Sequence, residues 1–126
     1  MGNVELAEAL FGALAKGDAD QVRQVCAPDM RANQNHGPNM DVDALINFTV
    51  AVHKIAKNFR YENTIRSATS RGFVEEHNVR GTLPDGTTFD LAVCVVADVQ
   101  EGKITELREY ADSFAASGLF KALSRT

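Results

Sequence analysis

Apolar residues return every three or four positions through the first half of the chain and close to every second position after it. Val4, Ala7, Leu10, Phe11 and Leu14 have helical spacing and predict a first helix, with Asn3 as its cap and Gly17 as its end. Asp18 opens a second, shorter helix. Gln21 stands three residues on, as a capping box requires, and Val22, Val25 and Cys26 form a stripe that Pro28 ends. Met30 to Gln34 reads as a short strand, and Asn35-His36-Gly37-Pro38-Asn39 as a loop. A third helix starts at Asp41 or Asp43 and carries Leu45, Phe48, Val52, Ile55 and Phe59 along one face.

From Arg60 the period shortens to that of a strand. Tyr61, Asn63, Ile65 and Ser67 make one strand face, and Phe73 to Leu83 a second strand. Pro84-Asp85-Gly86 is a turn. Thr87 to Val99 is a long strand holding the apolar run Leu91 to Ala97. Gln100-Glu101-Gly102 is a tight turn before a strand from Lys103 to Asp112, and Phe114 to Leu123 predicts a terminal helix that Gly118 weakens. Helices first and strands later argue for an α+β fold. Three N-terminal helices would pack on one face of a curved antiparallel sheet. A sheet bent around a long helix leaves a conical cavity, the natural place for a ligand.

Composition narrows the classes. The length of 126 residues suits one domain spanning the chain, and 44% hydrophobic with 24% charged residues is a globular balance. The 13 basic residues are outnumbered by 17 acidic ones, so no basic excess offers itself to nucleic acid. No apolar run approaches the roughly 20 residues that span a bilayer. Met1-Gly2-Asn3-Val4-Glu5 lacks the basic and apolar parts of a signal peptide, and a cytoplasmic location is expected. Cys26 and Cys94 sit far apart in apolar settings and are expected to be reduced core thiols. His36, His53 and His77 have no metal-ligand spacing, and no Gly-rich phosphate loop or G-x-S-x-G is present. No metal and no cofactor are expected.

Two local patterns carry a resemblance. One is Gly81-Thr82-Leu83-Pro84-Asp85-Gly86 between two long strands. The other runs from Glu101-Gly102-Lys103-Ile104 to Arg108-Glu109-Tyr110-Ala111-Asp112. With the order of elements, they resemble the nuclear transport factor 2-like superfamily and its SnoaL-like branch, related to ketosteroid isomerases, polyketide cyclases and limonene epoxide hydrolases. The resemblance implies a cone-shaped, cystatin-like roll. It also implies a cofactor-independent isomerase, cyclase or hydrolase working on a small apolar molecule, or a non-catalytic ligand-binding or dimerisation domain of that fold. The ketosteroid isomerase set does not carry over: its tyrosine falls near Leu10 or Phe11, its base near Asn33 or Gln34, and its second aspartate near Cys94 or Val95. Of the epoxide hydrolase set, the final aspartate resembles Asp112, whereas its Arg and Asp fall near His77 and Val79.

The last strand supplies the candidate chemistry. By a period of two, Ile104, Glu106, Arg108, Tyr110 and Asp112 share one face. Asp112 is the candidate acid or base, as in the family pattern, and His77 the candidate proton-transfer partner. Arg108 and Tyr110 would orient an oxygen of the substrate. Phe48 and Val52, with Phe59, Phe73, Phe89 and Phe114, are candidates for an apolar lining. Glu75 and Glu76 point to opposite faces, and His36 lies in a loop of the kind that rims a cavity. Proteins resembling this superfamily often pair through the outer face of the sheet. The run Leu91 to Ala97 is apolar on both faces, Ala92, Cys94 and Val96 opposite Val93 and Val95, and a homodimer is expected.

Overall fold

The computed structural model describes residues 1–125. Two helices, α1 (Asn3–Lys16) and α2 (Ala19–Val25), lead into strand β1 (Cys26–Gln34). Helix α3 (Val42–Ile55) comes next, then four strands: β2 (Lys57–Ala68), β3 (Gly72–Thr82), β4 (Thr88–Gln100) and β5 (Lys103–Ala111). Helix α4 (Ser117–Ser124) comes last. The strands form one sheet in the order β1-β5-β4-β3-β2. All neighbours are antiparallel except β1 and β5, which run parallel at the edge. Pro28 falls in that edge strand where the pairing breaks between Cys26 and Arg31, so its missing N–H interrupts no ladder. The fold is α+β, with the helices packed on a curved sheet.

Local chemistry sets most boundaries. Asp18 accepts from the Gln21 N–H and Asp41 from the Ala44 N–H, which caps α2 and α3. Gly17 takes the left-handed conformation (φ 70°) that closes α1. Asn3 does not cap: Gly2 occupies that position without a side-chain bond, and Asn3 is already helical. The α3 stripe stops at Ile55. Ala56 is extended and Asn58 left-handed (φ 55°), so Phe59 belongs to β2, although its spacing continued the helical pattern. Leu6, Leu10, Leu14, Val22, Met30, Phe73 and Ile104 make a core between α1, α2 and the sheet. Cys26 is in this core, where burial pushes its thiol up to about 11. Cys94 is not: it lies half-buried on the outer face, and both thiols are free.

Besides the break in β1, the register shifts in β2, first between Lys57 and Arg60 and again between Glu62 and Ile65, and in β5. Between Glu62 and Ile65, β2 holds one residue more than its partner segment, where Asn78 and Glu76 are two apart. Asn63, left-handed at φ 58°, marks this bulge. In β5, Ile104 pairs with Val99 and Glu106 with Asp98, so Thr105 is the extra residue. Each bulge turns the rest of its strand over. The expected face Tyr61, Asn63, Ile65 and Ser67 is therefore split: Tyr61 points in, whereas Ile65 is 64% exposed.

Candidate active site

The concave face, α1, α3, α4 and the loop after β1 enclose a cavity of about 410 Å³. That lies within the range of small-molecule sites. Its wall is mostly apolar and includes Leu14, Leu45, Phe48, Val52, Phe59 and Leu119. Phe48 stacks on Phe120 of α4 with ring centroids 6.4 Å apart. Asn33, Gln34, Gly37 and Pro38 bring the loop after β1 to the cavity.

A polar row crosses this apolar face. By strand register, Gln34, Glu109, Val95, Glu75 and Arg66 stand side by side from one edge of the sheet to the other. Glu75 is fully buried. Its Oε1 accepts from Arg66 Nε at 2.7 Å, and its Oε2 lies 2.7 Å from His77 Nδ1. An ionised carboxylate only accepts, so His77 carries a proton on Nδ1. The ring is held on both sides, by Phe11 at 4.9 Å and Tyr61 at 4.5 Å between centroids. His77 is 4% exposed and lines the cavity.

Polar groups in this wall without a hydrogen-bond partner among the described residues include His77 Nε2, the Tyr61 hydroxyl and the Glu109 carboxyl. No fully enclosed side-chain nitrogen or oxygen is unpartnered among the described residues, so these groups open onto the cavity. Burial pushes the Glu109 carboxyl above the usual carboxylate range, an effect that only a protonated His77 would partly offset. Burial likewise raises the Tyr61 phenol, helped by the negative charges of Glu109 and Glu75. At neutral pH Tyr61 is a hydrogen-bond donor. The site thus sets an oriented imidazole, a phenol and a protonatable carboxyl against one apolar space.

The structure divides the candidates read from the sequence. His77, Phe48 and Val52 line the cavity, as does Phe59. Arg108, Tyr110 and Asp112 do not, and their expected placement is corrected. The bulge at Thr105 leaves Ile104 pointing in but turns Glu106 and Arg108 to the outer face, so Leu107 and Glu109 take the inner positions. Arg108 donates to Asp98 at 3.1 Å and pairs with Glu106 at 3.2 Å. Tyr110 stacks edge-on with His36 at 5.4 Å. Asp112 is exposed, and its carboxylate accepts from the Phe114 N–H in the turn after β5. Phe73 and Phe89 are core, and Phe114 is 86% exposed. His53 Nε2 lies 2.8 Å from the Leu14 carbonyl oxygen and ties α3 to α1. Periodicity alone missed Glu109, Tyr61 and Arg66. The odd spacing of Tyr61 and Arg66 hid the fact that both point inward.

The chain belongs to the SnoaL-like domain family, whose model matches residues 7–107. Solved structures share the fold. A candidate polyketide cyclase from Xanthomonas campestris is 20% identical over 96% of each chain, with a TM-score of 0.79. An epoxide hydrolase of the LEH-like type from M. tuberculosis is 19% identical, covering 98% of this chain and 90% of its own, with a TM-score of 0.72. A protein of ketosteroid isomerase-like fold from Catenulispora acidiphila, in complex with trimethylamine, is 15% identical over 84% of each chain, with a TM-score of 0.73. No curated protein sequence matches the chain. Among the described residues, no helix is long and apolar enough to cross a membrane, and no group of three His, Cys, Asp or Glu residues could hold a metal ion.

Proposed function

We propose that this chain is a cofactor-independent acid/base enzyme of the SnoaL-like kind, an isomerase, cyclase or hydrolase, acting on a small and largely apolar molecule in the cavity. The observation that supports this most is His77. Glu75 fixes its tautomer, and its unpartnered Nε2 shares the cavity with an unpartnered carboxyl. In this reading Nε2 takes a proton from carbon or from a water. Tyr61 and protonated Glu109 donate hydrogen bonds to the oxygen on which negative charge gathers. Phe48 and Val52 hold the apolar body of the substrate. Glu109 takes the acid/base role that the sequence pattern suggested for Asp112.

The test needs no known substrate. Small neutral cyclic ketones are incubated with the protein in D₂O and exchange of their α-protons is followed by NMR; small epoxides are assayed beside them for water addition. Turnover above background is expected in one series. His77→Gln should lower it by about 10²–10⁴-fold, and Glu109→Gln by a similar factor. Binding without turnover, unchanged by His77→Gln, would favour a non-catalytic ligand-binding domain instead.

The proposal includes a homodimer formed through the outer face of the sheet. Ala92, Cys94 and Val96 form an apolar strip there, and exposed Ile65 and Tyr110 are on the same face. Light scattering at micromolar concentration should give twice the chain mass, and Val96→Arg should return it to one. Whole-chain organisation as one domain, residues 1–126, and a cytoplasmic location belong to the same reading.

A further inference from the structure

We infer that Arg66 is a positioning residue: from the far end of the polar row it holds Glu75 ionised and so keeps the His77 imidazole neutral, with its proton on Nδ1 and Nε2 free to accept another. This rests on the role proposed above for His77. Arg66 and Glu75 are directly opposed in the β2–β3 register, and the contact is a 2.7 Å bond to the carboxylate oxygen that His77 does not use. The two oxygens of one buried carboxylate are thus divided between a permanent cation and an imidazole.

Charge counting shows the effect. Arg66, Glu75 and neutral His77 sum to zero in a buried setting. A proton added to His77 would leave a net positive charge there, which desolvation opposes. Without Arg66, Glu75 and neutral His77 would carry a net negative charge, and taking a proton would cancel it. Arg66 therefore favours the basic form of the ring.

The other groups facing His77 do not duplicate this. Tyr61 on β2 is held in its neutral form, Glu109 on β5 is biased towards its protonated form, and α1 and β4 present Phe11 and Val93. The nearest outside charge is Glu8 of α1, exposed and 3.9 Å from Arg66.

The bulge at Asn63 makes the arrangement possible. Tyr61 and Arg66 are five residues apart, an odd spacing that an unbroken strand would send to opposite faces. With the extra residue both reach His77 and Glu75 from one strand. An ordinary structural pair stapling β2 to β3 would need the contact but not the charge, and the two roles separate on that point.

The experiment is an NMR pH titration of the His77 ring in the intact protein, which requires no substrate. Arg66→Gln keeps a donor for Glu75 and removes the charge, whereas Arg66→Lys keeps the charge. The midpoint of His77 protonation should rise by about one pH unit or more in Arg66→Gln, and should stay near the wild-type value in Arg66→Lys. If a ketone or epoxide is turned over, the low-pH limb of its rate profile should move up by the same amount. An unchanged midpoint in folded Arg66→Gln would overturn the inference and leave the proposed activity standing. A shifted midpoint together with no turnover of ketones or epoxides by the wild-type protein would do the reverse.

Discussion

The two faces of one sheet hold arginine–carboxylate pairs in opposite settings. On the inner face, Arg66, Glu75 and His77 form a single chain in which Glu75 is fully buried and both of its oxygens are used. On the outer face, Arg60, Glu62, Arg80 and Asp90 cluster at one end, open to solvent, and Arg71, Asp98, Arg108 and Glu106 at the other, where Asp98 is nearly buried but Arg71 and Glu106 are wetted. The bonds are of similar length. The difference lies in water. Exposed pairs exchange partners with solvent and are worth little, whereas a buried carboxylate must keep every bond it has. The inner row is therefore rigid enough to fix a tautomer, and the outer pairs mainly keep the ends of that face polar around its apolar strip.

Breaking the inner row should cost most. Glu75→Ala removes the shared acceptor of Arg66 and His77 and should destabilise the fold by about 3–5 kcal/mol, read from denaturant unfolding. A loss below about 1 kcal/mol would mean that the row is no more demanding than the outer pairs. Next comes the device that aims it. Asn63→Val puts a β-branched residue in the left-handed conformation and removes the bond to Asn78, at a cost of about 1–2 kcal/mol. It should also broaden or shift the NMR signals of Arg66 and His77, whereas Asn63→Gly should do neither. On the outer face, Arg80→Ala should cost least in the same denaturant unfolding, and less still as salt is added.

The finest contrast is one of sign. Arg108 first, and then Arg71, hold the Asp98 carboxyl below its usual range. Asp98 therefore stabilises the fold above the unfolded value near 4, and this is lost as pH falls through the lower folded value. Glu109 is raised by burial. Its contribution is complete below the unfolded value near 4 and is lost as pH rises through the higher folded one. Asp98→Asn should thus lower Tm at pH 7, and Glu109→Gln should raise it, with both differences shrinking in thermal melts near pH 3. Two shifts of the same sign at pH 7 would contradict the division between the faces.

The helical half of the chain was nearly transparent to periodicity. The stripe through Ala7, Leu10, Phe11 and Leu14, the Asp18 cap, a helix start at Asp41 or Asp43 and the Gly17 terminus are local features, decided within a few residues. Strand β3 was legible too, because it has no bulge: Phe73, Glu75, His77 and Val79 share the inner face as alternation requires. Strands β2 and β5 were not. The extra residue after Glu62 in β2 and Thr105 in β5 each invert the rest of the strand, so Arg66 and Glu109 turned in, and Ile65, Arg108 and Tyr110 turned out.

By itself, then, the sequence determined the element order, the α+β class, the Asp18 cap and Gly17 terminus, and the shared face of Glu75 and His77, since each depends on spacing over a short stretch. The tertiary structure decided which carboxylates meet that histidine. A bulge is set by how two strands fit against each other and against the core beneath them. Only the paired sheet shows that Glu75 shares its oxygens between Arg66 and His77, and that Glu109, rather than Asp112, faces the cavity.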